Sequence, residues 1–288
     1  MENTYTYQPK KFFIITFVVT WISWFLSAYF SYQENGESIF VMFMIPGLIA
    51  PFAIALWMIL ASKNQALKKG FTRKLFDLRL IKPITIPVLL FFMPLTVVLS
   101  IFVSLPFGQS INQLAFSPEF SFTAGFIPVL LVLFLAASFE ELGWRSYAMD
   151  SLHSRMNYFK ASLIFGGLWA LWHLPLFFID GYYQNELIKE NWVFALNFFV
   201  SVIPMAVIIS WVCKKNGSSI LAAILFHFVI NISQELLNIT QVTKCIETIV
   251  LIVLAGIIVI AEKKMFFDGP NTQPQIDNAD SQGIAANV

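Results

Sequence analysis

Three apolar stretches of this chain hold side chains that hydrocarbon does not tolerate without a reason. They are Glu140, Glu141 and Arg145 in SFEELGWR, His173 in LWHLP, and His227 with Asn231 in LFHFVINIS. An ionisable group inside a membrane-spanning segment costs a few kcal/mol or more, so those that persist are candidates for function. No well-placed serine, aspartate dyad or reactive cysteine accompanies them. A glutamate out of bulk water is a competent general base, and a histidine beside it can share the same water. His227 and Asn231 lie four residues apart, on one face of a helix. Both can donate hydrogen bonds to a developing oxyanion, a contribution of roughly 3 kcal/mol per donor in other enzymes. Together the set predicts amide hydrolysis by an activated water.

Angular spacing divides the two glutamates. Neighbours on a helix point about 100° apart, so Glu140 and Glu141 cannot address the same atom. Glu141 and Arg145 are spaced i, i+4 with the acid first, the favourable order for an ion pair. The expectation is that Glu141 and Arg145 support the structure while Glu140 faces an interior cavity. Arg145 alone would also fit as an anchor at the membrane surface. His153, flanked by Ser151 and Ser154, has no intramembrane partner and is read as structural, and Glu235, one turn beyond Asn231, as a helix-end anchor.

The elements that must position these residues are membrane helices. Of 288 residues 58% are hydrophobic and only 12% charged, with 31 Phe, and the mean hydropathy is +0.72. That composition lies outside the range of soluble domains. A net charge of +1 without a basic stripe excludes a nucleic-acid partner. Spanning the hydrocarbon needs about 20 apolar residues. Eight segments meet or approach that length: Phe12 to Tyr32, Ile39 to Ala61, Pro83 to Leu105, Ala124 to Ala148, Phe159 to Ile179, Trp192 to Cys213, Ser218 to Ile239 and Ile246 to Ala261. With the N-terminus inside, 16 of the 18 Lys and Arg fall on the inner side, leaving Lys189 and Lys244 outside. This is the distribution of a chain with both termini cytoplasmic. The prediction is therefore an all-α bundle of eight spans, residues 1–267 forming one domain, with a cavity open to the cytoplasmic side. Residues 268–288 read as a disordered polar tail, in part an appended segment. The first span reads as a retained signal anchor, and the C-terminus carries no lipidation motif. Cys213 and Cys245 sit near opposite membrane faces and read as free thiols. The basic loop from Lys63 to Lys82 reads as a topology determinant.

Depth ties the polar residues together. At 1.5 Å per residue, Glu140 lies roughly 12 Å from the inner end of its span, His227 about 13 Å deep, and His173 and Asn231 about 20 Å deep. Three helices thus bring their polar groups into one slab of the bilayer.

EExxxR from Glu140 to Arg145, the Trp169–His173 segment and HxxxN from His227 to Asn231 resemble the three motifs of the intramembrane CAAX prenyl endopeptidases. The likeness is to the Ras and a-factor converting type, the type II CAAX proteases, within a superfamily that includes bacteriocin-processing and immunity proteins. It covers roughly Ala136 to Ser233 in the right order. Trp169 departs from the Phe usual in the second motif. The resemblance implies a protease that removes the C-terminal tripeptide from a prenylated Cys-a-a-X tail, with Glu140, His173, His227 and Asn231 catalytic. It implies a multi-pass protein of the plasma membrane in a prokaryote or of the endoplasmic reticulum in a eukaryote. Phe177 and Phe178 are candidates for a lipid-binding groove, and Pro175 for a bend that opens the cavity.

Two alternatives remain at this point. Glu140, His173 and His227 are residue types that suit Zn²⁺. Against a metal stand the absence of HExxH, the placing of the histidines on separate helices, and Asn231, a good amide donor and a poor zinc ligand. The sequence reading therefore expects no cofactor. Intramembrane Glu and His also mark transport pathways, and a non-catalytic immunity or transport protein is the rival class. Against transport, no internal repeat is visible and no polar residues continue the path across the outer half.

Overall fold

The computed structural model describes residues 5–34, 36–117, 123–124 and 127–270. The tail beyond residue 270 lies outside the described residues, as does part of the segment before the fourth expected span. Among the described residues the fold is all-α apart from a two-residue antiparallel pair, Thr123–Ala124 with Ile127–Pro128, and one isolated bridge between Phe116 and Leu237.

In chain order the helices are α1 (Pro9–Ser31), α2 (Glu37–Ala61), α3 (Gln65–Phe76), α4 (Ile86–Ser104), α5 (Val129–Gly143), α6 (Met149–His153), α7 (Tyr158–Trp172), α8 (Tyr183–Glu190), α9 (Trp192–Lys215), α10 (Ile220–Leu236), α11 (Gln241–Ala261) and α12 (Lys263–Phe267). Among the described residues, six helical segments are long and apolar enough to cross a membrane: Pro9–Ser31, Ser38–Ala61, Pro83–Phe107, Tyr158–Phe178, Trp192–Lys215 and Gln241–Ala261. This is an integral multi-pass membrane protein. The two other expected spans are helical but shorter, and they carry most of the polar set. One is α10, 17 residues. The other is α5, 15 residues, which runs through a π-helical turn, Trp144–Ala148, into α6. The last span is longer than the sequence reading allowed. It starts at Gln241, where Thr240 caps it by accepting from the Thr243 amide, so Lys244 and Glu247 belong to the helix.

A proline sets the position of the helix that bears the glutamates. Pro51 lies inside α2 and has no N–H, which leaves the carbonyl four residues earlier, that of Gly47, without its helical donor. Thr20 of α1 supplies one at 3.0 Å, and the same hydroxyl accepts from the Trp172 indole of α7 at 2.9 Å. Trp24 lies so close to Gly47 that a Cβ there would stand 2.1 Å from its indole nitrogen. On the other flank, Gly143 at the end of α5 packs on the backbone of Pro51, and a Cβ at Gly143 would fall 2.4 Å from the Pro51 carbonyl carbon. The kinked α2 is thus fixed to α1 and α7 by polar bonds, and α5 is seated directly against it.

The amphipathic α3 returns part of the basic loop to the bundle. Lys74 is buried in an ion pair with Asp150, and Tyr7 bonds the same carboxylate. Burial pushes the Tyr7 hydroxyl well above the usual tyrosine range. His153 is structural, as expected: its Nδ1 meets the Met156 carbonyl at 3.1 Å, its ring stands edge-on to Tyr158, and burial pushes it below the usual histidine range. Both cysteines are free.

Replacing Gly143 by Ala forces α5 away from Pro51. Overpacking of this kind costs about 1–3 kcal/mol. The apparent melting midpoint of Gly143→Ala in detergent should fall by several degrees. Gly167→Ala, which meets nothing within 4 Å, should leave it near the wild-type value. Equal midpoints for the two variants would show that the α5–α2 contact does not position the helix.

Candidate active site

Glu141 is fully buried and both its oxygens are taken by side-chain N–H donors. Its Oε2 accepts from Arg145 Nε at 2.6 Å, and its Oε1 accepts from His227 Nδ1 at 2.9 Å. Arg145 continues the chain of bonds, donating from Nη1 to Ser210 Oγ of α9 at 2.8 Å while its guanidinium lies 4.8 Å from the centre of the Phe165 ring of α7. One carboxylate therefore ties α5 to α10, α9 and α7. With Nδ1 committed to Glu141, Nε2 is the His227 nitrogen left for the cavity.

Glu140 points elsewhere, as the angular argument requires. Its Oε2 accepts from the Trp169 indole at 2.7 Å and more weakly from the Trp144 indole at 3.4 Å. Its other oxygen accepts nothing from the described residues.

His173 owes its position to Pro175. A proline cannot continue α7 because its ring would collide with the Leu171 carbonyl. The helix ends at Trp172 and a 3-10 turn, Leu174–Phe178, takes over. The His173 amide then bonds Ala170 at 3.1 Å, so the Trp169 carbonyl, which an uninterrupted helix would give to that amide, takes the His173 ring at 2.8 Å. A carbonyl only accepts, so Nδ1 carries the proton and the neutral ring presents the lone pair of Nε2. Trp169 stands between the two histidines, its ring 6.0 Å from that of His173 and 5.4 Å from that of His227. Asn231, one turn above His227, is held only by a long contact of 3.5 Å to the Leu133 carbonyl.

Glu140, His173, His227 and Asn231 all line one cavity of about 440 Å³. Glu141 and Arg145 do not. The six residues expected from sequence fall into two groups accordingly, four at the cavity wall and two behind it. Sequence reasoning missed the indole donor of Trp169, the weaker one of Trp144, and Ser210. For Trp169 a signal existed, since it lies four residues before His173 on the same helix face. Ser210 is 65 residues from Arg145 and gave none.

The direction of the cavity corrects one expectation. Below Glu140, on the side of the basic loops, Trp144, Tyr147 and Phe165 are fully buried and close the bundle. The lining runs the other way, to Tyr183, Gln234 and Lys244 near the ends of α8, α10 and α11. A cavity open at the cytoplasmic end and cytoplasmic termini do not hold together in this structure, because the glutamate-bearing turn is packed by aromatic rings instead of reached by water.

Among the described residues no three of His, Cys, Asp and Glu form a group that could hold a metal ion.

Residues 122–233 match a family model described as type II CAAX prenyl endopeptidase Rce1-like. Across 268 residues, 93% of this chain and 99% of the relative, the sequence is 53% identical to CAAX prenyl protease 2 of the archaeon Methanococcus maripaludis. The matched region contains all six site residues.

Removing one partner of a buried ion pair typically costs 3–5 kcal/mol, because the other charge is left uncompensated. Arg145→Met should therefore abolish the monodisperse, heat-resistant form in detergent, whereas Glu141→Gln, which keeps a hydrogen-bonding side chain, should lose less. An Arg145→Met protein with the wild-type melting midpoint would refute the assignment of Arg145 to the scaffold.

Proposed function

The chain belongs to the type II CAAX prenyl endopeptidases and is a membrane protease, and we propose that it removes the C-terminal tripeptide from a prenylated Cys-a-a-X tail by glutamate-activated water. The observation that carries the mechanism is the uncommitted oxygen of Glu140 at the cavity wall, with the His173 Nε2 lone pair on the same cavity. Trp169 holds the carboxylate by its other oxygen, so one oxygen is fixed and the other is available to a water.

In this reading the water gives its proton to Glu140 as its oxygen bonds the scissile carbonyl carbon, and His173 accepts the water's second hydrogen bond. The carbonyl oxygen becomes an oxyanion, met by the Asn231 amide and by Nε2–H of His227. For His227 to donate from Nε2 while Nδ1 bonds Glu141 its ring must carry both protons, and Glu141 is its counter-ion. Collapse of the intermediate breaks the C–N bond, and Glu140 returns its proton to the leaving nitrogen. No metal takes part in this scheme.

The isoprenoid reaches the site from lipid. Ile45 of α2 and Val132 of α5 line the cavity and are also exposed on the flank of the bundle, so an apolar chain can enter between them without crossing water. The distribution of Lys and Arg supports cytoplasmic termini. Phe177, offered from sequence as part of a groove, is instead packed with Phe198 and Phe199, which supports a role in backing His173 through Phe198.

With a fluorogenic farnesyl-peptide, Glu140→Gln and His227→Ala should each lower turnover by about 10³-fold or more, within the range for general base and oxyanion groups. Glu140→Gln should keep the wild-type melting midpoint, whereas His227→Ala, which takes one partner from the buried Glu141, should also lower the midpoint, so its turnover is measured per folded protein. Trp169→Phe should cost less, about tenfold. Wild-type turnover in Glu140→Gln would sink the mechanism. A strong chelator applied for hours should leave activity intact; loss that one equivalent of zinc restores would establish a metalloenzyme instead.

A further inference from the structure

The end of the cavity remote from Glu140 is polar and is not used by the chemistry above. It is lined by Tyr183 and Gln184 of α8, Gln234 of α10, and Gln241, Lys244 and Glu247 of α11. Lys244 is the one Lys or Arg among the residues that line the cavity. Its ammonium donates to the Tyr183 hydroxyl at 3.0 Å and lies 4.7 Å from the centre of that ring. The hydroxyl is in turn within 3.4 Å of Gln241 Oε1. No carboxylate pairs with Lys244 among the described residues, so two of its three N–H groups are left for a ligand.

Two carboxylates share this end and must be accounted for. Glu247 is buried, and its Oε1 already accepts from Gln234 at 2.6 Å. Glu235 lines the cavity but stands at the exposed rim, where solvent screens it. Gln184 is buried with its Oε1 unpartnered, an acceptor suited to a peptide N–H.

The spacing matches a peptide of defined length. His227 is level with the two glutamates, and Gln234 stands seven residues further along α10, about 10 Å at 1.5 Å per residue. Gln234 bonds Glu247, and the Lys244 backbone lies one turn, about 4.5 Å, beyond Glu247 toward the same end, about 15 Å in all. Three extended residues span about 10 Å, so the carboxylate at the end of such a segment falls about 5 Å short of the Lys244 backbone, a gap that the lysine side chain bridges.

We propose that Lys244, held by Tyr183, binds the free C-terminal carboxylate of the substrate, so that the distance from Glu140 to Lys244 measures off the tripeptide that is released. Lys244 is then a specificity residue that requires a chain end and rejects internal sequences. This rests on the substrate class proposed above, and the experiment separates the two.

Farnesyl-peptides ending in a free acid and in a primary amide are compared, both for kcat/KM with active protein and for equilibrium binding to Glu140→Gln. Wild type should prefer the acid by ten- to a hundredfold, mainly in KM, as expected for a charge-assisted hydrogen bond. In Lys244→Met the ratio of acid to amide should fall toward one, and Lys244→Arg should restore most of it. Equal use of acid and amide by wild type, or a wild-type ratio in Lys244→Met, overturns the proposal. Absence of hydrolysis with both peptides sinks the protease reading instead, and the binding ratio then decides the subsite alone. If Lys244→Met fails to fold, Tyr183→Phe, which removes the hydroxyl that holds the ammonium, must lower the same ratio; an unaltered ratio in that variant also overturns it.

Discussion

A carboxylate with no exposed surface in the middle of an apolar bundle is the constraint around which this site is organised. Burying the Glu141 charge alone would cost several kcal/mol. The cost is offset only because Arg145 and His227 reach its two oxygens at 2.6 and 2.9 Å. Those partners come from different parts of the chain, and the bundle must close in one register for both to arrive. Sliding α10 by a residue would turn His227 about 100° away from α5. It would leave a buried charge half-compensated. Glu141 therefore specifies the relative setting of α5 and α10, and through Arg145 and Ser210 that of α9. The orientation of His227 at the cavity wall follows from its bond to Glu141.

This explains why two adjacent glutamates are not redundant. Glu141 is paired with Arg145, bonded by His227 and absent from the cavity wall. Glu140, one residue away, meets only indole N–H donors, which orient a carboxylate without supplying a full positive charge. A base that must take up a proton and give it back is poorly served by a fixed ion pair. The helical step between neighbouring residues puts each carboxylate in the environment its role requires.

Local features of this arrangement were legible in the sequence. The i, i+4 pairing of Glu141 with Arg145, the divergence of the two glutamates, the cavity-facing set and the helical nature of the spans follow from helix periodicity and hydropathy. What escaped was long-range or depended on packing. The bond from His227 to Glu141 joins residues 86 apart; periodicity shows which face a residue is on but not which helix covers that face. Trp169 stands out in the sequence only as a departure from the usual Phe, because the direction of its N–H toward Glu140 is not evident there. The last span was begun too late because Lys244 looked like a loop charge, whereas the helix starts at Gln241 and the Tyr183 hydroxyl takes the Lys244 ammonium. The open end of the cavity was not legible because depth along each helix locates polar groups and says nothing about where aromatic rings fill the space between helices.

The same packing accounts for the shape of the cavity. Phe165, Trp144 and Tyr147 close it beneath the glutamates, and the π-helical turn at Trp144–Ala148 falls where these rings interlock. A π turn widens the helix and rotates the residues that follow it. Trp144, the first residue of this turn, lies on the Glu140 face with its indole nitrogen 3.4 Å from that carboxylate, while Arg145 lies on the Glu141 face. With one end sealed, a substrate can occupy the cavity only along its axis toward α11 or through the flank between α2 and α5. An amphipathic tail with a lipid on one residue and a short peptide beyond it has a part suited to each of those two routes. Glu140 sits where these two routes meet, at the closed end of the cavity, the place where the proposed reaction needs a base.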